Sequence, residues 1–186
     1  MNPNFVRFAV VLLFAHLLGD FVFQFNWIQH RKKFWYGRLV HSLIHAALAY
    51  LLLGAWMLWL IPLVTGVTHY LIDWGKSGLN RKRFWIFILD QMLHGAVIVG
   101  LALLLVTRSA ALPFWLTWQP SITWALLVLA SGFLLLVPCG GYLIGGLMAP
   151  YQAQLDKQAA RLSKGKPGEE HKPIKGFAEG GRIIGY

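Results

Sequence analysis

The sequence predicts an all-α, polytopic integral membrane protein with about five transmembrane helices. Composition is the first reason, because 57% of the 186 residues are hydrophobic and 13% are charged, against about 25% charged in a typical soluble domain. The second reason is that the apolar residues form long stretches, most of them near the ~20 residues that cross a bilayer. The nine Trp residues suit membrane interfaces, and the single Cys excludes a disulfide framework within the chain.

Five apolar stretches give the predicted helices in chain order: residues 5–29, 39–60, 61–75, 84–106 and 122–148. The first is too long for a cleaved signal peptide, and it carries His16 and Asp20 inside. The third is short for a full span, and Pro62 lies near its beginning, where proline is tolerated. Residues 107–119, between the fourth and fifth stretches, have the polar and aromatic composition of an interfacial loop.

The basic residues predict the orientation in the membrane. Fifteen of the 17 Lys and Arg residues follow the first stretch, the third stretch or the fifth. Only Arg7 and Arg108 fall on the opposite side. With five spans, the excess of positive charge on cytoplasmic segments places the N-terminus outside and the C-terminus in the cytoplasm. The formal charge of +10 is then a topology signal, and no nucleic-acid partner is expected.

The chain is predicted to divide into a transmembrane domain, residues 1–150, and a cytoplasmic tail, residues 151–186. Within the tail, residues 151–162 have the spacing of a short amphipathic helix. Residues 163–181 are rich in Gly, Lys, Glu and Pro, which is typical of a flexible segment. The positive charge of the tail favours contact with anionic membrane lipids.

The first four apolar stretches are unusual because each contains two ionisable residues four positions apart. The pairs are His16/Asp20, His41/His45, His69/Asp73 and Asp90/His94. This spacing puts both side chains on one face of a helix. A charged residue inside a span costs about 2.5–3.5 kcal/mol on the insertion scale unless it finds a partner. We therefore expect the four polar faces to meet inside a helix bundle.

Counting residues from the cytoplasmic ends, at about 1.5 Å per residue, sorts these side chains by depth. The shallow layer contains Gln24, His41, Asp73 and Asp90. The layer one turn deeper contains Asp20, His45, His69 and His94. His16 is expected near the middle of the membrane.

Imidazole and carboxylate groups are ligands of zinc, and also of iron and manganese. We therefore predict a divalent metal site, with zinc as the favoured ion. The candidate ligands are His16, Asp20, His41, His45, His69, Asp73, Asp90 and His94. They exceed the four ligands of one structural zinc, so the remainder either support the ligands through hydrogen bonds or bind a second ion. Gln24 and Gln91 are expected as supporting groups, and His30 and His171 are expected to lie apart. Hydrogen bonding between helices without a metal is the alternative.

Four sequence runs at these positions, and one at the C-terminus, carry a resemblance to a known family. They are AHLLGDFVFQ (15–24), HSLIH (41–45), HYLIDWGK (69–76), LDQMLH (89–94) and GGRIIGY (180–186). The sequence resembles the bacterial membrane family known as domain of unknown function 3307, which implies the inner membrane as its location. It is more loosely similar to the YdjM-like inner-membrane proteins, described as metal-dependent hydrolases. Members of the first family continue past the last run with further apolar spans, so the resemblance implies either a short member or a truncated one.

The favoured function is a metal-dependent hydrolase acting on an amphiphilic or lipid-linked substrate at the cytoplasmic leaflet. The ion would be held by His45, His69 and His94 together with one or more of Asp20, Asp73 and Asp90. A spare carboxylate, Asp20 or Asp73, would act as general base. Lys76 either extends towards the lipid headgroups, the favoured interpretation, or faces the site and binds a phosphate or a developing oxyanion.

Two other functions are predicted alternatives. Chains of Asp and His inside a membrane also form ion or proton pathways, so transport is one of them. However, the outer halves of the second, third and fourth stretches have almost no polar residue beyond Thr65 and Thr68. The other alternative is a partner-binding protein with a structural metal. Gly141 and Gly145 form a GxxxG step, typical of close helix packing, so the fifth stretch could contact a second copy or a membrane partner.

Overall fold

The computed structural model describes residues 2–76, 79, 84–108 and 110–163. In these ranges the regular elements are all helical: α1 Pro3–Leu17, α2 Asn26–Arg31, α3 Trp35–Leu53, α4 Leu60–Gly75, α5 Phe84–Thr107, α6 Phe114–Thr117, α7 Pro120–Leu134 and α8 Gly140–Ser163. The predicted all-α class is therefore confirmed. The predictions for the tail beyond residue 163, for His171 and for the run at 180–186 lie outside the described residues.

Four helical segments in the described part of the chain are long and apolar enough to cross a membrane: Pro3–Val22, Trp35–Leu53, Trp85–Thr107 and Pro120–Gln158. They correspond to the first, second, fourth and fifth apolar stretches. The third stretch forms α4, which has 16 residues and is about 24 Å long, against a hydrocarbon thickness of about 30 Å. The lengths therefore support a membrane protein and give four candidate spans where the sequence suggested about five.

The first apolar stretch is not one continuous helix. After α1 the backbone widens into a π-helical turn, Leu18–Val22, where the Phe23 N–H donates to the Leu18 carbonyl at 2.8 Å. The separate helix α2 follows after three residues. A π-helical turn shifts the following side chains around the helix axis, and such turns are frequent at functional sites. Asp20 lies within this turn.

Helices α3 and α4 form an antiparallel hairpin. Gly54 ends α3 in the left-handed region, with φ of 62°, and its N–H donates to the Tyr50 carbonyl. Glycine adopts this conformation without a side-chain clash, which allows the chain to turn back. Gly66 of α4 lies close to Ala46 of α3, so the two helices approach each other closely.

The predicted interfacial loop contains the short helix α6 and is attached to this hairpin. The Trp115 indole N–H donates to the Leu52 carbonyl at 2.8 Å, which satisfies one of the last carbonyl groups of α3.

The last apolar stretch continues much further than predicted. Helices α7 and α8 are joined without a loop by a π-helical turn, Leu135–Cys139, which contains Pro138. Helix α8 then continues through Pro150 to Ser163, so residues 151–163 are the end of this helix and not a separate one. No described atom outside the helix lies within 4 Å of a Cβ built on Gly145, so the described chain itself supplies no close packing partner there.

The core of the bundle has two halves. The apolar half is formed by the N-terminal part of α1 and the C-terminal parts of α3 and α5, with Phe8, Val11, Leu53 and Leu105 almost completely buried. The polar half lies at the other ends of these helices and contains buried His and Asp side chains. Because the helices alternate in direction, residues far apart in sequence meet in this polar half.

Candidate metal centre

The structure brings all eight predicted ligands into one buried cluster. The helices that the first four apolar stretches form each contribute a pair. The pairs are His16 and Asp20 from α1 and its π-helical turn, His41 and His45 from α3, His69 and Asp73 from α4, and Asp90 and His94 from α5. Contacts occur within the two predicted layers and also between them, since His41 of the shallow layer lies 3.1 Å from Asp20 of the deeper one. The His45 and His69 rings stack with centroids 3.7 Å apart, and His41 Nε2 lies 3.9 Å from Asp73 Oδ2.

Asp20 contacts three of the histidines. Its Oδ1 lies 3.1 Å from His41 Nε2 and 3.3 Å from His45 Nε2, and its Oδ2 lies 3.3 Å from His16 Nε2. The π-helical turn carries this carboxylate into the space between α1 and α3. Gly19, in the same turn, lies against the ring of His45, so the helix and the imidazole touch without an intervening side chain.

Four of the candidate ligands have the spacing of a metal site. One ligand atom from each of Asp20, His41, His45 and His69 lies within 4.8 Å of the other three. A tetrahedral zinc ion has ligands at about 2.0–2.2 Å, which puts the ligand atoms about 3.3 Å apart, so modest contraction of this group would suffice. Three imidazoles and one carboxylate are a ligand set that zinc accepts.

The hydrogen bonding of the cluster also fits a metal ion. The Nε2 atoms of His16, His45, His69 and His94 are buried and make no hydrogen bond of acceptable geometry with the described residues. Buried polar atoms are otherwise nearly always paired, and leaving one unpaired costs about 1–3 kcal/mol. A metal ion would accept the lone pairs of several of these nitrogens at once.

The remaining carboxylates are engaged by lysines. Lys76 Nζ lies 2.6 Å from Asp73 Oδ1 and 2.7 Å from Asp90 Oδ1. The favoured expectation that Lys76 extends to the headgroups is therefore wrong, because two carboxylates hold it against the cluster. Burial alone would lower the pKa of Lys76, but Asp73 and Asp90 raise it above its ordinary value.

Lys32 is a site residue that the sequence did not reveal. It follows α2 and is buried, with Nζ 3.4 Å from Asp73 Oδ2 and 2.5 Å from Gln24 Oε1. Burial lowers the pKa of Lys32 below its ordinary value, against the attraction of Asp73. In the sequence this residue is one of several basic residues in a loop, and the only available signal is its position shortly after the Asp20 motif.

The predicted supporting groups contact the periphery of the cluster. Gln24 accepts a hydrogen bond from Lys32, and Gln91 donates one to Asp90 Oδ2 at 3.3 Å. Neither contact is to a ring of the four-residue metal group. His30 is exposed and donates from Nδ1 to the Asn26 carbonyl at 2.6 Å, apart from the cluster as expected.

A small cavity of about 30 Å³ lies beside the cluster, towards the apolar half of the core. His16, His45, His69 and His94 line one side of it. Thr65 lines it too, and its hydroxyl is buried without a hydrogen bond to the described residues. The cavity is large enough for about two water molecules, and it has polar groups to hold them.

These features define the class: a helical membrane protein with a buried His/Asp cluster that could hold a metal ion. The chain belongs to the family described as "Protein of unknown function (DUF3307)", whose model matches residues 8–123. The match includes all eight residues of the cluster. Comparisons with curated proteins and with solved structures found no match.

Proposed function

We propose that the chain is a metal-dependent hydrolase of the bacterial inner membrane that acts on an amphiphilic or lipid-linked substrate at the cytoplasmic leaflet. The observation that carries the proposal is the convergence of Asp20, His41, His45 and His69, with their ligand atoms within 4.8 Å of one another. Water bound to a divalent ion in such a site has a pKa of about 7, which supplies a nucleophile at neutral pH.

Zinc is the ion we favour, with iron and manganese as alternatives. The four-residue group offers imidazole and carboxylate ligands, and it includes no cysteine thiolate. The free Cys139 is buried in the π-helical turn between α7 and α8 and is not a member of the group.

Asp73 and the two lysines are proposed to act on the substrate side of the ion. Asp73 Oδ2 lies 3.9 Å from the Nε2 atoms of both His41 and His69, so its carboxylate is adjacent to the ligands and suited to a general base. Lys32 and Lys76 bring two positive charges to the same place. An anionic substrate group, such as a phosphate, would compete with the carboxylates for these ammonium groups.

The surroundings of the site favour a substrate with an apolar part. Three aromatic side chains are exposed on either side of Lys32 in the chain: Phe25 and Trp27, around the start of α2, and Trp35, at the start of α3. Exposed aromatic residues are typical of the membrane interface. At this level a lipid headgroup would approach the lysines while its chains remain in the bilayer.

A structural metal is the second candidate, and one observation favours it. Asp20, His41, His45 and His69 alone would fill all four positions of a tetrahedral ion, whereas a catalytic zinc keeps one position open. In that case the ion would hold α1, α3 and α4 together. Transport has less support, since the cavity beyond the cluster ends in the apolar half of the core.

The test begins with metal content by elemental mass spectrometry. The protein is purified in detergent without a His-tag or added metal, beside a His45→Ala/His69→Ala double variant and a His30→Ala control. We expect metal in the wild type and in the control, and none in the double variant. The absence of metal from the wild type, even after incubation with zinc, iron or manganese, would overturn the proposal.

Activity then separates the two candidates. A long-chain acyl ester and a lipid phosphate are offered in mixed micelles to the metal-loaded protein. Hydrolysis that is lost in the double variant and in Asp73→Asn, while Asp73→Asn still retains metal, supports the hydrolase. Metal binding without hydrolysis of either substrate supports the structural role instead.

A further inference from the structure

We infer that Asp20 bridges two metal ions, and that His16 and His94 hold the second one. This inference rests on the proposed metal centre and extends it. The two oxygens of Asp20 face different partners: Oδ1 is directed at His41 and His45, at 3.1 and 3.3 Å, and Oδ2 is directed at His16, at 3.3 Å. A carboxylate placed in this way can give one oxygen to each of two ions.

His16 and His94 form a second pair of candidate ligands beside the four-residue group. Their rings stack with centroids 4.7 Å apart, one from α1 and one from α5. Both side chains are at least nine-tenths buried. Each has an Nε2 atom that makes no hydrogen bond of acceptable geometry with the described residues. The first ion, bound by its own four residues, would leave both of these nitrogens unsatisfied.

The hydrogen bond of His94 assigns its free nitrogen as a ligand atom. His94 Nδ1 lies 2.8 Å from the Asp90 carbonyl oxygen, which can only accept, so Nδ1 carries the proton. In a neutral imidazole the lone pair is then on Nε2. Histidines that bind metals are usually oriented by such a bond from the other ring nitrogen to a backbone carbonyl. His94 therefore has the tautomer of a metal ligand.

The cavity supplies the room that a second ion needs. It is lined by His16 and His94 together with His45 and His69, so it adjoins the first site. Its volume of about 30 Å³ would admit about two water molecules, which could complete the coordination of the second ion. The hydroxyl of Thr65, which has no hydrogen-bond partner among the described residues, could hold one of them. Water alone in this cavity is the competing explanation for the unpaired nitrogens.

Manganese is a suitable probe, because two bridged Mn²⁺ ions give an exchange-coupled electron paramagnetic resonance spectrum and isolated ions give six lines. The full-length protein in detergent is loaded with Mn²⁺ and freed of excess. We expect two equivalents by elemental analysis and a coupled spectrum. His16→Ala and His94→Ala should each bind one equivalent and give the six-line spectrum, and the exposed His30→Ala should match the wild type.

The outcomes distinguish this inference from the proposed function. One equivalent in the wild type, unchanged in both variants, would overturn the second site and leave the first intact. No bound metal in the wild type would overturn both. If either alanine variant fails to elute as a folded species, His16→Gln or His94→Gln replaces it, since glutamine keeps a polar side chain of similar length. Two equivalents without coupling would exclude Asp20 as the bridge.

Discussion

Gly19 and His45 touch directly, backbone against ring, across the interface of α1 and α3. A Cβ added to Gly19 would overlap three atoms of the imidazole. The His45 ring cannot easily move, because its centroid lies 3.7 Å from that of the stacked His69 ring and 4.6 Å from that of the His41 ring. The position of Gly19, in the run AHLLGDFVFQ, therefore needs a residue without a side chain, because the imidazole of His45 occupies the space that a Cβ would fill.

Replacing Gly19 by alanine should disturb the metal centre. Forcing an extra methyl group into a packed core typically costs about 1–3 kcal/mol, so we expect a lower melting temperature in detergent and a reduced metal content. Thermal unfolding and elemental analysis measure these two effects. Gly100→Ala is the matched control, since its Cβ would meet nothing within 4 Å. That control should be neutral or slightly stabilising, because alanine favours a helix by about 0.5–1 kcal/mol. Equal behaviour of the two variants would contradict the prediction.

Replacing Lys76 by glutamine should destabilise the protein more than replacing Lys33. Lys76 neutralises two buried carboxylates, Asp73 and Asp90, whereas Lys33 is exposed. Removing one partner of a fully buried pair costs about 3–5 kcal/mol, and we expect less here because the Lys76 side chain is 23% exposed. Thermal unfolding compares the two variants. Adding Asp90→Asn to Lys76→Gln should recover part of the loss, and a further loss would contradict this account.

The contribution of Lys76 should be independent of pH over the physiological range. Its carboxylate partners raise the pKa above the ordinary value of 10.5. A group with a raised pKa in the folded state stabilises it fully below the unfolded pKa, and the effect is lost as the pH rises through the folded value. The difference in unfolding free energy between wild type and Lys76→Gln should thus be constant from about pH 7 to 9. A difference that decreases within this range would exclude a charged, paired lysine.

Replacing Trp115 by phenylalanine should loosen the connection between α6 and the α3–α4 hairpin. The change removes the hydrogen bond to the Leu52 carbonyl, which is worth about 0.5–1.5 kcal/mol. Trp118→Phe is the control, because Trp118 is in the same loop and is 78% exposed. A lower melting temperature for the first variant alone is the expected result, and equal melting temperatures would show that the bond contributes little.

The sequence predicted the cluster well because its signal is local. A pair of ionisable residues four positions apart defines one polar helix face. Four such faces in an apolar environment are stabilised by contacting one another. The inward orientation of Lys76 could not be foreseen in this way. It depends on Asp90 of the next helix, and a lysine at a helix end is equally suited to reach the headgroups.

Other differences arise from features that have weak sequence signals. The π-helical turn at Leu18–Val22 leaves the apolar pattern unbroken, so hydropathy alone gives one long helix. Pro138 does not end the helix between α7 and α8, because it lies in a π-helical turn that tolerates a residue without an N–H. Lys32 reaches Asp73 only because the chain turns back at α2, which is a tertiary effect.

The division of the core into an apolar half and a polar half bears on how the protein is made. Helices α1, α3 and α4 leave the ribosome before α5, each bearing ionisable groups that lipid cannot solvate. The last of these groups, His94, is synthesised well after the first, His16. Until α5 is made, the polar faces of α1, α3 and α4 have only one another as partners. The residues of the four-residue metal group all precede α5 in the chain, so an ion bound there would give the polar faces of the first helices a shared partner before α5 is added.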